Sequence, residues 1–335
     1  MTAVGEAGPT VAAGEWTGKM LETVCIAVPT YRRPDHLRNL LDSLRQMRTA
    51  GRTVDILVVD NDPDGSAMAI ADDLGPGVTV IQESHPGVSA ARNRALEEIG
   101  NRVDAVIFLD DDEVVAVDWL ERLLDYADKS GADVVTGPVL PLFDESTPQW
   151  LVRGGFWGRA RHRTGTRVES VATNNTVVRT ELFRRAPHVR FREDLSLKGG
   201  SDTQFFRDLQ PYSGPHLWCD EAVVHERLLP DRMSLRWLFR RAMRIGNVNA
   251  RYADSKLLAF AGGVTRIVVS LILCAAEVVL HGHVRARAFN MLGHGVGMAG
   301  GVLGLDVVEY KRPRSLMASR GRTLVASLFS SWGRP

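Results

Sequence analysis

From residue 24 onward, short apolar runs alternate with helix-periodic segments, and several of the runs stop abruptly on acids. Residues 24–28 form a buried-strand run, after which Leu37, Leu40, Leu41, Leu44 and Met47 recur at helical spacing. Residues 55–59 are a second strand ending in Asp60, and 78–81 a third. Ser89 is read as the cap of a helix through Ile99, and 103–109 is a fourth strand running straight into Asp110-Asp111-Asp112-Glu113. Leu120, Leu123, Leu124 and Ala127 mark the next helix, and 133–136 a further strand. Strands alternating with helices of about 10–15 residues predict an α/β domain with a mostly parallel sheet and helices on both faces.

Open parallel sheets bind ligands outside the carboxyl ends of their strands. The residues there are Pro29-Thr30-Tyr31-Arg32-Arg33, Asp60-Asn61-Asp62 and Asp110-Asp111-Asp112. Acids at two strand ends on one rim suit a polyhydroxyl group and a divalent cation. A single Asp is equally a strand stop or a helix cap. Four adjacent acids after the buried run VIFL repel one another, and a hard cation, Mg²⁺ or Mn²⁺, is the usual remedy. No G-x-G-x-x-G follows the first strand, no G-x-x-x-x-G-K-[ST] is present and no G-x-S-x-G elbow occurs, which argues against dinucleotide, P-loop and serine-hydrolase chemistry. Forty-one Lys plus Arg against forty Asp plus Glu disfavour whole-molecule binding of a polyanion such as nucleic acid. Three isolated cysteines, Cys25, Cys219 and Cys274, make neither a disulfide framework nor a CxxC zinc site and suit a reducing compartment.

The runs CIAVPTYRRPDHLRNLLDSL, ILVVDND, ESHPGVSAARNRAL, AVIFLDDDE and GGSDTQFFRDL, in that order and spacing, resemble the inverting glycosyltransferases of family two over residues 22 to about 250. The resemblance implies the GT-A fold, a mostly parallel Rossmann-like sheet with helices on both faces. It implies that Pro29, Thr30, Tyr31 and Arg32 after the first strand, and Asp60 after the second, hold the base and ribose of a nucleotide. Gly87, Ser89, Arg92 and Asn93 would line the same pocket. Asp110 and Asp111 would serve the nucleotide and Asp112 the metal–diphosphate group, and Asp202 would be the general base. The family's Glu before the base is Ser201 here, so any acceptor contact made by that Glu is missing. Independently of the resemblance, moving a sugar off a nucleoside diphosphate needs a cation for the leaving group and a separate carboxylate for the acceptor proton.

Other residues keep two readings. His225 is a metal ligand or a surface residue at a strand end. Asn174 and Asn175 meet sugar or acceptor hydroxyls, or form a turn. Trp150, Phe156 and Trp157 stack on a sugar or belong to the core. Asp202 is the base, or an acid favouring the first turn of a helix that Ser201 caps. Segment 140–255 reads as loops around short strands at 168–172 and 216–219 and a helix near 203–209. Residues 227–251 carry seven arginines and one Asp. Arg236, Arg240, Arg244 and Arg251 share a helical face, which is a diphosphate clamp, a contact for anionic lipid or a solvated surface. Of the Gln-x-x-Arg-Trp motif of processive relatives only Arg236-Trp237 remains, with Met233 at the Gln position, so chain extension is disfavoured.

Residues 267–280 make an apolar stretch of about 21 Å as a helix, shorter than the ~30 Å of a bilayer core. Residues 288–305 follow, with Gly293, Gly297 and Gly301 spaced at four. The pattern predicts a re-entrant or interfacial helix pair, or glycine-rich packing inside a soluble protein. Lys311, Arg312, Arg314, Arg320, Arg322 and Arg334 follow Glu309 with no acid. The expected organisation is a disordered leader 1–21, a GT-A domain 22–255 (nucleotide half 22–140, acceptor half 141–255), an apolar helical region 256–310 and a basic tail 311–335. The expected protein is cytoplasmic, peripheral at the inner face of the membrane. It moves one sugar from a nucleotide-diphosphate sugar to a hydroxyl acceptor, a lipid-linked saccharide of cell-surface polysaccharide synthesis. The alternatives are a catalytically silent nucleotide-sugar binding or assembly subunit and a sugar-phosphate nucleotidyltransferase.

Overall fold

The computed structural model describes residues 19–145, 147–157, 161–196, 198–281 and 285–307. The expected basic tail and most of the expected leader lie outside the described residues. The strands are β1 (Thr23–Thr30), β2 (Thr53–Asp60), β3 (Val78–Gln82), β4 (Ala105–Phe108), β5 (Glu113–Val115), β6 (Val134–Thr136), β7 (Val139–Leu142), β8 (Thr176–Arg179), β9 (Leu217–Trp218) and β10 (Val224–Arg227). The helices are α1 (Pro34–Gln46), α2 (Val88–Ile99), α3 (Trp119–Ser130), α4 (Gln149–Gly154), α5 (Thr180–Arg185), α6 (Ser201–Leu209), α7 (Leu235–Arg251), α8 (Lys256–His281) and α9 (Ala286–Val302). The chain divides into two compact units: one holds both sheets with α1–α3, α5 and α6, the other holds α4, α7–α9 and residues 198–200.

In the first unit a seven-stranded sheet has the order β3-β2-β1-β4-β8-β6-β9, with β8 antiparallel to both neighbours and every other pairing parallel. Val24, Ile26 and Val28 of β1 face one way, into Leu37, Leu40, Leu41 and Leu44 of α1 and Leu120, Leu123 and Leu124 of α3. Cys25 and Ala27 face the other way, into Ala91 and Ala95 of α2 and Phe205 and Phe206 of α6. Burial on both faces is why these strands read as unbroken apolar runs rather than alternating ones. A second sheet, β5-β10-β7, follows the acid cluster. Leu21, inside the expected leader, is buried in the core, and its N–H donates to Asp128.

Three local readings change. Helix α2 begins at Val88, so Ser89 sits within it rather than capping it, and its buried hydroxyl has no partner among the described residues. The Ser196 hydroxyl instead accepts from the Ser89 N–H at 3.3 Å. Gly87 has φ +131°, and a Cβ there would lie 2.6 Å from that Ser196 oxygen, so only glycine lets the two segments meet. The strand expected over 168–172 does not form; the nearest pairing is an isolated bridge just before it, Arg167 to Leu217. His225 lies within β10 rather than at a strand end.

In the second unit the glycine stripe of α9 packs within the protein. A Cβ on Gly297 would fall 1.9 Å from the Met243 carbonyl of α7, and Gly295 lies against Gly263 of α8. Close backbone approach, the property that G-x-x-x-G spacing confers, is used here between α9 and its neighbours. Helix α8 is longer than the sequence reading allowed. It runs 26 residues, about 39 Å, because Arg266 does not end it: its guanidinium folds back to donate to the Gly262 carbonyl at 3.1 Å. Residues Lys256–Leu280 are long and apolar enough to cross a membrane by length and composition, with an 18-residue window of mean hydropathy 2.2, only 17% of which is buried.

Candidate functional site

The strand order reverses between β1 and β4, since the chain builds outward through β2 and β3 and then returns to the other side of β1. That switch point is where an open α/β sheet leaves a crevice. The residues leaving β1 and β4 bond across it. The Thr30 hydroxyl donates to Asp111 Oδ2 at 2.8 Å, and the Arg33 guanidinium donates to Asp111 Oδ1 at 3.1 Å and Asp112 Oδ2 at 3.3 Å. From α2, Arg92 donates to Asp110 Oδ1 at 3.0 Å and lies over the Phe191 ring. Small sheet and acid turn are joined by the Arg227 N–H, which donates to the Asp112 carbonyl at 2.8 Å.

The four acids are not equivalent. Glu113 closes the turn, its Oε2 accepting from the Asp110 N–H at 2.8 Å. Burial, then the nearby charge of Asp110, pushes its carboxyl well above the usual range. Asp111 is also raised, by burial, against the lowering influence of Arg33 and Thr30. Asp110 is the most open of the cluster. Among the described residues no three His, Cys, Asp or Glu side chains converge as a self-sufficient metal site. The donor set nevertheless fits a hard divalent cation. Two buried carboxylates already share one cationic group, Arg33, and Mg²⁺ or Mn²⁺ typically takes one or two carboxylates plus phosphate oxygens.

The remaining expected residues divide. Arg32, held at φ +54°, turns away from Arg33 and pairs with Asp62 and Asp64, its guanidinium 5.4 Å from the centre of the Tyr31 ring. Pro29 is half-buried in β1, and Tyr31 is partly exposed at its end. Asp60 is fully buried, its oxygens accepting from the N–H groups of Asp62, Ala67 and Met68, so it shapes the loop after β2. Asn93 exchanges hydrogen bonds with the Phe191 backbone, its amide donating at 2.9 Å and its oxygen accepting at 2.9 Å. That clamp and the Ser196 contact fix residues 191–196 against α2. Asp202 lies in the first turn of α6, half-buried, with one oxygen accepting from the Thr203 N–H; Ser201 is buried beside it as the first helical residue. His225 is half-buried between Val114 of β5 and Leu140 of β7.

Asn174 and Asn175 separate cleanly. Asn175, at φ +57°, is buried: it accepts from Trp119 Nε1 and donates to the carbonyls of Pro138 and Ala222. Asn174 lines a cavity instead. Trp157 is core, stacked on Trp237 with the Arg241 guanidinium 4.5 Å from its ring centre. Sequence reasoning named Arg32 but gave no role to Arg33. The available signal was electrostatic: a buried acid cluster requires a counter-charge, and the TYRRP turn offers two.

The chain is similar to known proteins. A mannosyltransferase from Pyrobaculum calidifontis, PcManGT, solved in complex with GDP-Man and Mn²⁺, aligns over 88% of this chain and 90% of its own with TM-score 0.58 and 16% identity. S. aureus TarS 1–349 in complex with UDP-GlcNAc aligns over 84% and 92% with TM-score 0.50, also at 16% identity. The fold is that of the GT-A glycosyltransferases. Residues 25–190 match the family model described as Glycosyl transferase family 2. The succinoglycan biosynthesis protein ExoM of Rhizobium meliloti (strain 1021) is 33% identical over 311 residues, 88% of this chain and 97% of that protein. The chain belongs to glycosyl transferase family 2.

Proposed function

We propose that this glycosyltransferase moves one sugar, with inversion, from a nucleoside-diphosphate sugar to a saccharide hydroxyl in polysaccharide synthesis, the acceptor being lipid-linked. The observation that carries the donor side is the bonding of Thr30 and Arg33 to Asp111 and Asp112 across the switch point. The relation to ExoM, a succinoglycan biosynthesis protein, supports a polysaccharide acceptor. Asp112, with Asp111, would hold a divalent cation there, which when bound neutralises the departing diphosphate. Arg92 and Asp110 form the adjoining wall on the nucleotide side.

Asp202 receives the acceptor proton. As the acceptor oxygen forms its bond to the anomeric carbon, the bond to the diphosphate oxygen breaks on the opposite face and the hydroxyl proton passes to the carboxylate. The Asn93–Phe191 clamp and Gly87–Ser196 contact fix residues 191–196 against α2, and in-line attack requires such a fixed frame for the reacting groups. The Glu that relatives place before the base is absent, and Ser201 is turned into the protein.

Membrane association is part of the proposal. Leu258, Ile272 and Val279 on α8 are 73%, 64% and 83% exposed, an unusual display for a water-facing surface. The six basic residues beyond Glu309 complement an anionic bilayer face. The experiment for the chemistry is a pair of variants assayed for diphosphate release from UDP- and GDP-sugars with Mn²⁺. Asp112→Asn abolishes transfer and weakens Mn²⁺-dependent nucleotide binding; Asp202→Asn abolishes transfer and leaves nucleotide binding intact. Normal turnover in the Asp202 variant removes it as the base.

A further inference from the structure

We infer that the cavity beside Trp218 is a subsite for a pyranose ring of the acceptor, separate from the donor crevice; this rests on the glycosyl transfer proposed above. The cavity has a volume of about 190 Å³ and opens at the ends of β6 and β9 and the start of β8. That is below the ~300–1,000 Å³ of sites for drug-sized ligands, which suits a single ring.

Both sheets place it at the same remove from the acids. In the large sheet, Phe108 pairs with Thr176 and Thr176 with Thr136; in the small one, Val114 pairs with His225 and His225 with Leu140. Each route crosses two strand spacings, about 10 Å. Since β6 runs parallel to β4, Thr136 and Asp110 lie on the same rim. The cavity therefore flanks the acid turn without sharing its residues, as a subsite for an acceptor ring near the reacting one would.

Its chemistry is that of a sugar site. The Trp218 indole is held in place: Nε1 donates to Asp220 Oδ1 at 3.1 Å, Arg161 forks onto the same carboxylate at 2.9 and 2.8 Å, and the His162 ring meets the indole edge-on at 5.1 Å. Pro138 and Leu140 supply apolar wall. The side chains of Asn174 and Ser170 line the cavity and make no hydrogen bonds among the described residues, leaving donors and acceptors for hydroxyls. A rigid aromatic, an apolar wall and a few convergent polar groups recognise an object with apolar C–H faces and a polar edge. Asn175 holds the floor by its bonds to Pro138 and Ala222, which explains why adjacent asparagines have different fates.

The test uses the full chain on an array of α- and β-linked gluco- and galacto-oligosaccharides, with nucleotide affinity measured separately using UDP, GDP and their sugars with Mn²⁺. Two variants probe the cavity. Trp218→Ala removes the platform, and Ala172→Trp fills the space from an exposed position without touching the core. Wild type binds at least one oligosaccharide, and both variants weaken it at least tenfold while thermal midpoint and nucleotide-sugar affinity stay unchanged. Binding of no oligosaccharide by wild type overturns the inference, as does unchanged saccharide binding in a folded Ala172→Trp protein. Loss confined to nucleotide-sugar affinity also overturns it, by assigning the cavity to the donor. Failure of every donor to turn over would instead strike the transfer reaction, and the array result stands apart from it.

Discussion

Replacing Arg33 by Met tests the electrostatic logic of the site without relying on activity. The guanidinium lies 3.1 Å from Asp111 and 3.3 Å from Asp112, whose side chains are only 6% and 5% exposed. Stripping one partner from a buried ion pair costs about 3–5 kcal/mol. Arg33 is itself 29% exposed, and the Thr30 hydroxyl still serves Asp111, so the expected loss falls just below that range, about 2–3 kcal/mol. Met keeps most of the stem's packing, which isolates the charge. Urea denaturation in EDTA, followed by circular dichroism, should show that loss. A cation bound by the same carboxylates at a hundred times its dissociation constant returns about 2.7 kcal/mol. Mn²⁺ should therefore nearly restore the variant, and should stabilise wild type less, because there it must displace Arg33. A variant as stable as wild type in EDTA, or a deficit that Mn²⁺ leaves untouched, would refute the reasoning.

Glu113→Gln should flatten the dependence of stability on pH. The folded carboxyl is held well above its usual range by burial and Asp110, whereas the unfolded chain releases that proton near pH 4.3. Above that pH the folded state binds more protons than the unfolded one, so wild-type stability falls as pH rises. The variant should have the higher thermal midpoint at pH 8 and no advantage at pH 4; parallel profiles would count against a neutral Glu113. Gly297→Ala should lower stability by about 1–3 kcal/mol or more, since its methyl would press on the Met243 carbonyl, and an unchanged midpoint would dismiss tight α7–α9 packing. Exchanging Leu258, Ile272 and Val279 for Asp should abolish flotation with phosphatidylglycerol vesicles and leave the thermal midpoint unchanged. Equal flotation of variant and wild type would rule out α8 as the contact.

The sheet was legible because its central strands, β1 and β4 with the second half of β2, are buried on both faces. Residues 24–28, 55–59 and 103–109 therefore appear as apolar runs broken by helix-periodic leucines, and the topology of such units follows from chain connectivity. The acids were legible for a related reason: a charged cluster immediately after a buried strand has to lie on the rim. Helix ends were less so. Ser89 has the composition of a cap, but Ser196, 107 residues away in sequence, meets its N–H.

Local sequence specified which side chains reach the rim; long-range packing assigned what each does there. Arg32 and Arg33 are chemically identical neighbours, and the left-handed turn at Arg32 sends one to Asp62 and Asp64, the other to Asp111 and Asp112. Asn174 and Asn175 are divided in the same way, one lining a cavity and the other buried under Trp119. Glycines at intervals of four announced close helix contact, but whether lipid or protein surrounded them depended on α7, a helix some fifty residues earlier. Hydrogen bonds and ion pairs are directional and reach only a few ångströms, so residue type can state a capacity to bond, and only the folded chain can supply the partner.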